Sequence, residues 1–113
     1  MIDQIQPAQL AAWAASHAAQ GTAIVLDVRE AWEVQTASVT PQGFELLTIP
    51  MSTVPVRLAD LPRERPIACL CHHGARSMQV AAFLAQQGFG TLANIAGGIN
   101  AWSSQVDASV PTY

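Results

Sequence analysis

Short runs that are apolar at nearly every position, rather than at alternate ones, set the frame of this chain. AIVLDV at 23–28, PIACLC at 66–71 and TLANIA at 91–96 are of this kind, and LLTI at 46–49 is a shorter relative. Strands covered on both faces read this way, whereas one-sided strands alternate. Helical patterns separate the runs. Pro7 opens a helix that Gly21 ends, with Leu10, Trp13, Ala14 and His17 along one side. Residues 30–36 make a short helix carrying Trp32, and 53–61 a weak one interrupted by Pro55. Residues 75–87 form a convincing helix stopped by Gly88, and Gly97-Gly98 turns the chain into a last helix with Ile99, Ala101 and Trp102. Residues 39–44 read as a loop and 105–113 as an irregular tail. Strands alternating with helices predict an α/β domain of parallel βαβ units with helices on both faces. The 113 residues show no repeat or linker, so one domain spans 1–113.

Charge narrows the partners. Only 12% of residues are charged, all five basic ones are Arg (29, 57, 63, 65 and 76), and the net charge is −3. That balance disfavours nucleic acid and anionic membrane surfaces. Residues 4–26 carry no charge but are broken by Gln, Pro, Ser, His and Gly, so a helix and a strand are expected there, not a membrane span. Cys69 and Cys71 stand too close together for an unstrained disulfide, and the N-terminus lacks the pattern of a secretory signal. A soluble protein of the reducing cytoplasm is the expectation.

Parallel sheets place their working loops beyond the carboxyl ends of the strands. Asp27-Val-Arg29, residues 71–76 and Gly97-Gly98 all fall there. The most informative segment is CHHGARS at 71–77. A cysteine closes a buried run, a tight connection follows, and a helix begins. Backbone N–H groups and the helix dipole favour negative charge at such a place. Arg76 adds a planar fork of donors. The combination suits a small anion and a thiolate nucleophile at Cys71. Cys69 lies inside the apolar run and reads as core.

LDVRE at 26–30, CHHGARS at 71–77 and AGGINAW at 96–102 together resemble the signatures of single-domain rhodaneses, a family of sulfurtransferases. The resemblance implies a five-stranded, mostly parallel sheet flanked by helices. It also implies a two-step transfer in which a cysteine takes the outer sulfur of a donor such as thiosulfate and passes it to cyanide, a thiol or a protein acceptor. Cys71 matches the sulfur-carrying cysteine. His72, His73, Gly74, Ala75 and Arg76 match the cradle around its persulfide, and Asp27 and Arg29 match a pair expected to brace the loop and line the pocket; Ser77 is expected to support the loop with them. For Arg29, bracing and substrate contact are both open. Four residues separate Cys71 from Arg76, one fewer than in the related dual-specificity phosphatases, whose wider loop is sized for phosphate. Residues 38–43, SVTPQG, depart from the His-Ile-x-Gly-Ala segment of many members, and His72 and His73 are bulkier than usual.

Other readings stand beside this one. A binding or regulatory module without turnover would ordinarily lack the cysteine. A phosphatase or arsenate reductase would use the same thiol with a longer loop. Cys69, Cys71, His72 and His73 are too crowded for a tetrahedral zinc site, so no metal and no organic cofactor are expected. Trp13, Trp32 and Trp102 read as core or edge packing, and Arg57, Arg63 and Arg65 as a solvated mixed face.

Overall fold

A computed structural model describes all 113 residues. Five strands form one sheet: β1 (Ile2–Ile5), β2 (Ile24–Asp27), β3 (Glu45–Thr48), β4 (Ile67–Leu70) and β5 (Leu92–Ile95). Their spatial order is β1-β5-β4-β2-β3, and every adjacent pair is parallel. The helices are α1 (Leu10–Ser16), α2 (Ala31–Thr36), α3 (Ala75–Gln86) and α4 (Gly98–Gln105). No helix is long and apolar enough to cross a membrane.

The apolar runs occupy the centre. Every residue of β2, β4 and β5 is buried. Side chains alternate across the sheet with the period of two that a strand imposes. Val25, Ala68, Leu70, Ala93 and Ile95 face a layer containing Leu10 and Trp13 of α1 and Ile99 and Trp102 of α4. Ile24, Leu26, Ile67, Cys69 and Leu92 face the opposite layer, where Val80, Ala81 and Leu84 of α3 pack. Helices thus cover both faces, as a parallel sheet requires.

The structure differs from the sequence expectation in a few places. β1 was not foreseen; it pairs only with β5, at the sheet edge, and only Ile5 of it is buried. The first helix is divided, with 3-10 turns at Pro7–Gln9 and Ala18–Gln20 on either side of α1. Residues 53–61 form 3-10 turns (Met51–Thr53 and Pro55–Asp60) rather than an α-helix. The tryptophans divide between the two readings open to them: Trp13 and Trp102 are buried in the core, and Trp32, 62% exposed, lies edge-on to Tyr113. Arg65 leaves the expected mixed face to pair with Glu45 and to donate to the carbonyl of Thr22.

Candidate active site

Cys71 follows the last residue of β4, and α3 begins four residues later. Gly74 makes this sharp reversal possible. Its φ of 111° lies in the left-handed region, and a Cβ there would press on the amide of Gly97. In this conformation the Gly74 N–H donates to Cys71 Sγ at 3.0 Å. The N–H groups of His72, His73, Ala75 and Arg76 have no acceptor within the chain. They include the unpaired donors of the first turn of α3, the positive end of that helix.

The loop is held from behind by α4. Ile99 N donates to the Cys71 carbonyl at 2.9 Å, and Asn100 N to the His72 carbonyl at 3.2 Å. Gly98, at φ 57°, lies directly against these carbonyls, and a Cβ would collide with both oxygens. The two signatures at 71–77 and 96–102 are therefore one piece of structure.

Ser77 and Asn94 form the floor. Ser77 Oγ lies 3.3 Å from Cys71 Sγ and donates to Asn94 Oδ1 at 2.6 Å. Asn94 Nδ2 donates in turn to Gln4 Oε1 and to the carbonyl of Gly74. A hydroxyl has one hydrogen, so with that hydrogen on Asn94 the Ser77 oxygen is an acceptor toward a Cys71 thiol. Cys71 is only 1% exposed. Cys69 is fully buried on the same side of the sheet, and burial, with a smaller contribution from Cys71, pushes its thiol up to about 12.

Asp27 and Arg29 form a buried brace beside the loop. Arg29 is fully buried and spends all five of its side-chain donors. Nε and Nη2 reach Asp27, at distances down to 2.6 Å. The remaining donors go to the carbonyls of Glu33 and Ala37 and to the hydroxyl of Tyr113. Burial alone would lower the Arg29 pKa, but its bonds to Asp27 and Tyr113 outweigh that and raise it. Of the two roles open to Arg29 in the sequence, this geometry is that of a brace.

Arg76 is placed differently from the free cation expected of an anion site. Its two terminal nitrogens make a fork-to-fork pair with Glu33, each at 2.8 Å. Glu33 also accepts from the Glu30 backbone N–H at 2.9 Å and from the Tyr113 hydroxyl at 2.8 Å. The Arg76 bonds, more than any other contact, hold the Glu33 carboxyl down to about 2 from its ordinary 4.5. The same pairing raises the Arg76 pKa against the opposing effect of burial. His72 and His73 stack with ring centres 3.9 Å apart, and Tyr113 stacks on His72.

Sequence reasoning missed Glu33, Asn94 and Tyr113. Asn94 could have been noticed as the one polar side chain inside the apolar run LANI, since a buried amide must find partners. Glu33 stands at the third position of α2, where it closes a capping box with Glu30. Nothing local in the sequence marks Tyr113.

A family model described as "Rhodanese-like domain" matches residues 10–105. A sulfurtransferase of Allochromatium vinosum is 38% identical over 73 residues, which span 63% of this chain and 68% of that protein. The chloroplastic rhodanese-like/PpiC domain-containing protein 12 of Arabidopsis thaliana is 42% identical over 91 residues, 79% of this chain but 30% of that longer protein. Among solved structures, a rhodanese-like domain protein from Staphylococcus aureus aligns over 99% of both chains with a TM-score of 0.73 at 23% identity, a likeness of fold. Together with the sheet order and the cysteine loop pinned by α4, these matches show that the chain belongs to the rhodanese-like domain family.

Proposed function

We propose that this domain is a sulfurtransferase that carries a sulfane sulfur as a persulfide on Cys71. The observation that carries the reading is the seat of the thiol: Cys71 Sγ rests on the Gly74 N–H at 3.0 Å, beside loop amides with no other acceptor. Such donors suit the negative outer sulfur of a persulfide. The Cys71 thiolate attacks the outer sulfur of thiosulfate. The sulfur–sulfur bond of the donor breaks, sulfite leaves with its electron pair, and the persulfide keeps one negative charge. Attack on the outer sulfur by cyanide then releases thiocyanate and restores the thiolate. A thiol acceptor, small or carried by a protein, would leave as its own persulfide. The cycle balances without an outside oxidant or reductant, and a reducing cytoplasm suits a thiol that must stay free.

In this reading Arg76 acts mainly through Glu33, setting the start of α3, while the backbone supplies most of the donors. Asp27, Arg29 and Ser77 support the loop. Intact-mass measurement after incubation with thiosulfate tests the proposal. Wild type and Cys69→Ser gain one sulfur that cyanide removes; Cys71→Ser gains none. A folded, reduced wild type that takes up no sulfur, or uptake that survives Cys71→Ser, would overturn it.

A further inference from the structure

Tyr113 touches the Cys71 loop at His72 and stands one carboxylate away from Arg76, and the sulfur chemistry above gives it no part. It ends a segment anchored after α4, where Val110 is buried and its carbonyl accepts from Ser103 Oγ at 2.7 Å. The Tyr113 hydroxyl accepts from Arg29 Nη1 at 3.0 Å and donates to Glu33 Oε1 at 2.8 Å. That carboxylate oxygen is the one that also receives Arg76 Nη2. The Tyr113 ring lies nearly parallel to His72, at 3.9 Å between centres and 6° between planes. One side chain thus meets the residue next to Cys71 directly and reaches Arg76 through a single carboxylate.

His72 sharpens the point. Its Nε2 is buried and has no hydrogen-bond partner, so no bond at that nitrogen orients the ring. The stack between Tyr113 and His73 is what holds it. The Tyr113 hydroxyl uses its one hydrogen and accepts a second bond, which fixes the ring's height and direction. We propose that Tyr113 is a positioning residue for sulfur transfer at Cys71, holding His72 by its ring and the Glu33–Arg76 pair by its hydroxyl. The inference rests on the sulfur-transfer reading for its kinetic consequence, but not for its structural one. With Tyr113 cut back to alanine, the His72 ring is free to turn and Glu33 Oε1 loses a donor. The spacing of Sγ from the Gly74 amide then loosens, and small misplacements at a reacting atom are costly in rate.

The test compares wild type, Tyr113→Ala and Tyr113→Phe, each shown by circular dichroism and melting to be folded at the assay temperature. Tyr113→Ala is expected to lose about tenfold in kcat/KM for thiosulfate, and Tyr113→Phe, which keeps the stack, to recover at least about threefold of that loss. A merely structural role would lower the melting temperature and leave kcat/KM of the folded protein alone. Amide resonances of Cys71 and Gly74, followed by NMR, report loop placement whether or not thiosulfate is a donor. They are expected to shift in Tyr113→Ala. Folded Tyr113→Ala with kcat/KM within twofold of wild type overturns the proposal, and so does Tyr113→Phe no better than Tyr113→Ala. If wild type itself takes up no sulfur, the functional reading fails. The amide shifts then decide the placement alone, and unshifted Cys71 and Gly74 resonances overturn it.

Discussion

Replacing Glu33 with Gln should weaken the fold in a way that depends on pH. The Glu33 carboxyl is held at about 2 in the folded protein against an ordinary value near 4.5, chiefly by its fork-to-fork pair with Arg76. A folded pKa below the unfolded one means that ionisation favours folding. At 1.36 kcal/mol per pH unit the gap corresponds to about 3 kcal/mol. Glu33 is buried, but the Arg76 side chain is 33% exposed, and solvent screening of that partner brings a sober expectation to about 2 kcal/mol. The contribution is complete above the unfolded pKa and fades as pH falls from about 4.5 through about 2. Urea unfolding of wild type and Glu33→Gln across pH 7 to pH 3 reads the effect, and the difference between the two cancels carboxyls that titrate alike in both. The stability gap should be about 2 kcal/mol at pH 7 and should shrink by more than half at pH 3. A gap that holds constant over this range would refute the electrostatic reasoning. A gap under about 0.5 kcal/mol at pH 7 would show that the pair is worth no more than an exposed one.

Two further outcomes follow from the buried polar groups and the loop. Arg29→Met leaves the Asp27 carboxylate buried without its partner and should cost about 3–5 kcal/mol by chemical denaturation, partly restored by adding Asp27→Asn; a loss under about 1 kcal/mol would contradict the brace. Gly98→Ala demands a left-handed alanine, at about 1–2 kcal/mol, and also drives a Cβ into the Cys71 and His72 carbonyls, so both melting temperature and sulfur uptake should fall; an unchanged loading rate would show that α4 does not set the loop.

What the sequence discloses here is mostly what the backbone demands locally. The continuous apolar runs mark β2, β4 and β5, because strands buried on both faces leave no room for a polar side. Gly74 and Gly97-Gly98 are legible since few other residues could take those turns. β1 escapes notice because an edge strand of four residues, with Asp3 and Gln4 exposed, has no such pattern. Trp32 is of the other kind: its type left core and edge packing open, and it stands largely in solvent beside Tyr113. The Glu33–Arg76 pair joins residues 43 apart in the chain, and the Tyr113–Glu33 bond residues 80 apart. Arg76 itself was legible as a functional residue, but its partner was not, so a cation meant for an anion site is found tied to a carboxylate.

The grip of α4 on the Cys71 and His72 carbonyls separates the two components of the loop. A peptide plane whose oxygen is tied down cannot rotate, so the direction of the adjoining N–H groups is stored in a different stretch of chain from the loop itself. Residue 73, exposed at the outer end of the stack on His72, is then released from the task of shaping the backbone. Its side chain can be exchanged among flat groups that keep His72 in place, to retune which donor or acceptor approaches. A library of planar side chains at 73, with His72, Gly74, Gly97, Gly98 and Tyr113 kept, is the natural place to look for altered substrate preference on this frame.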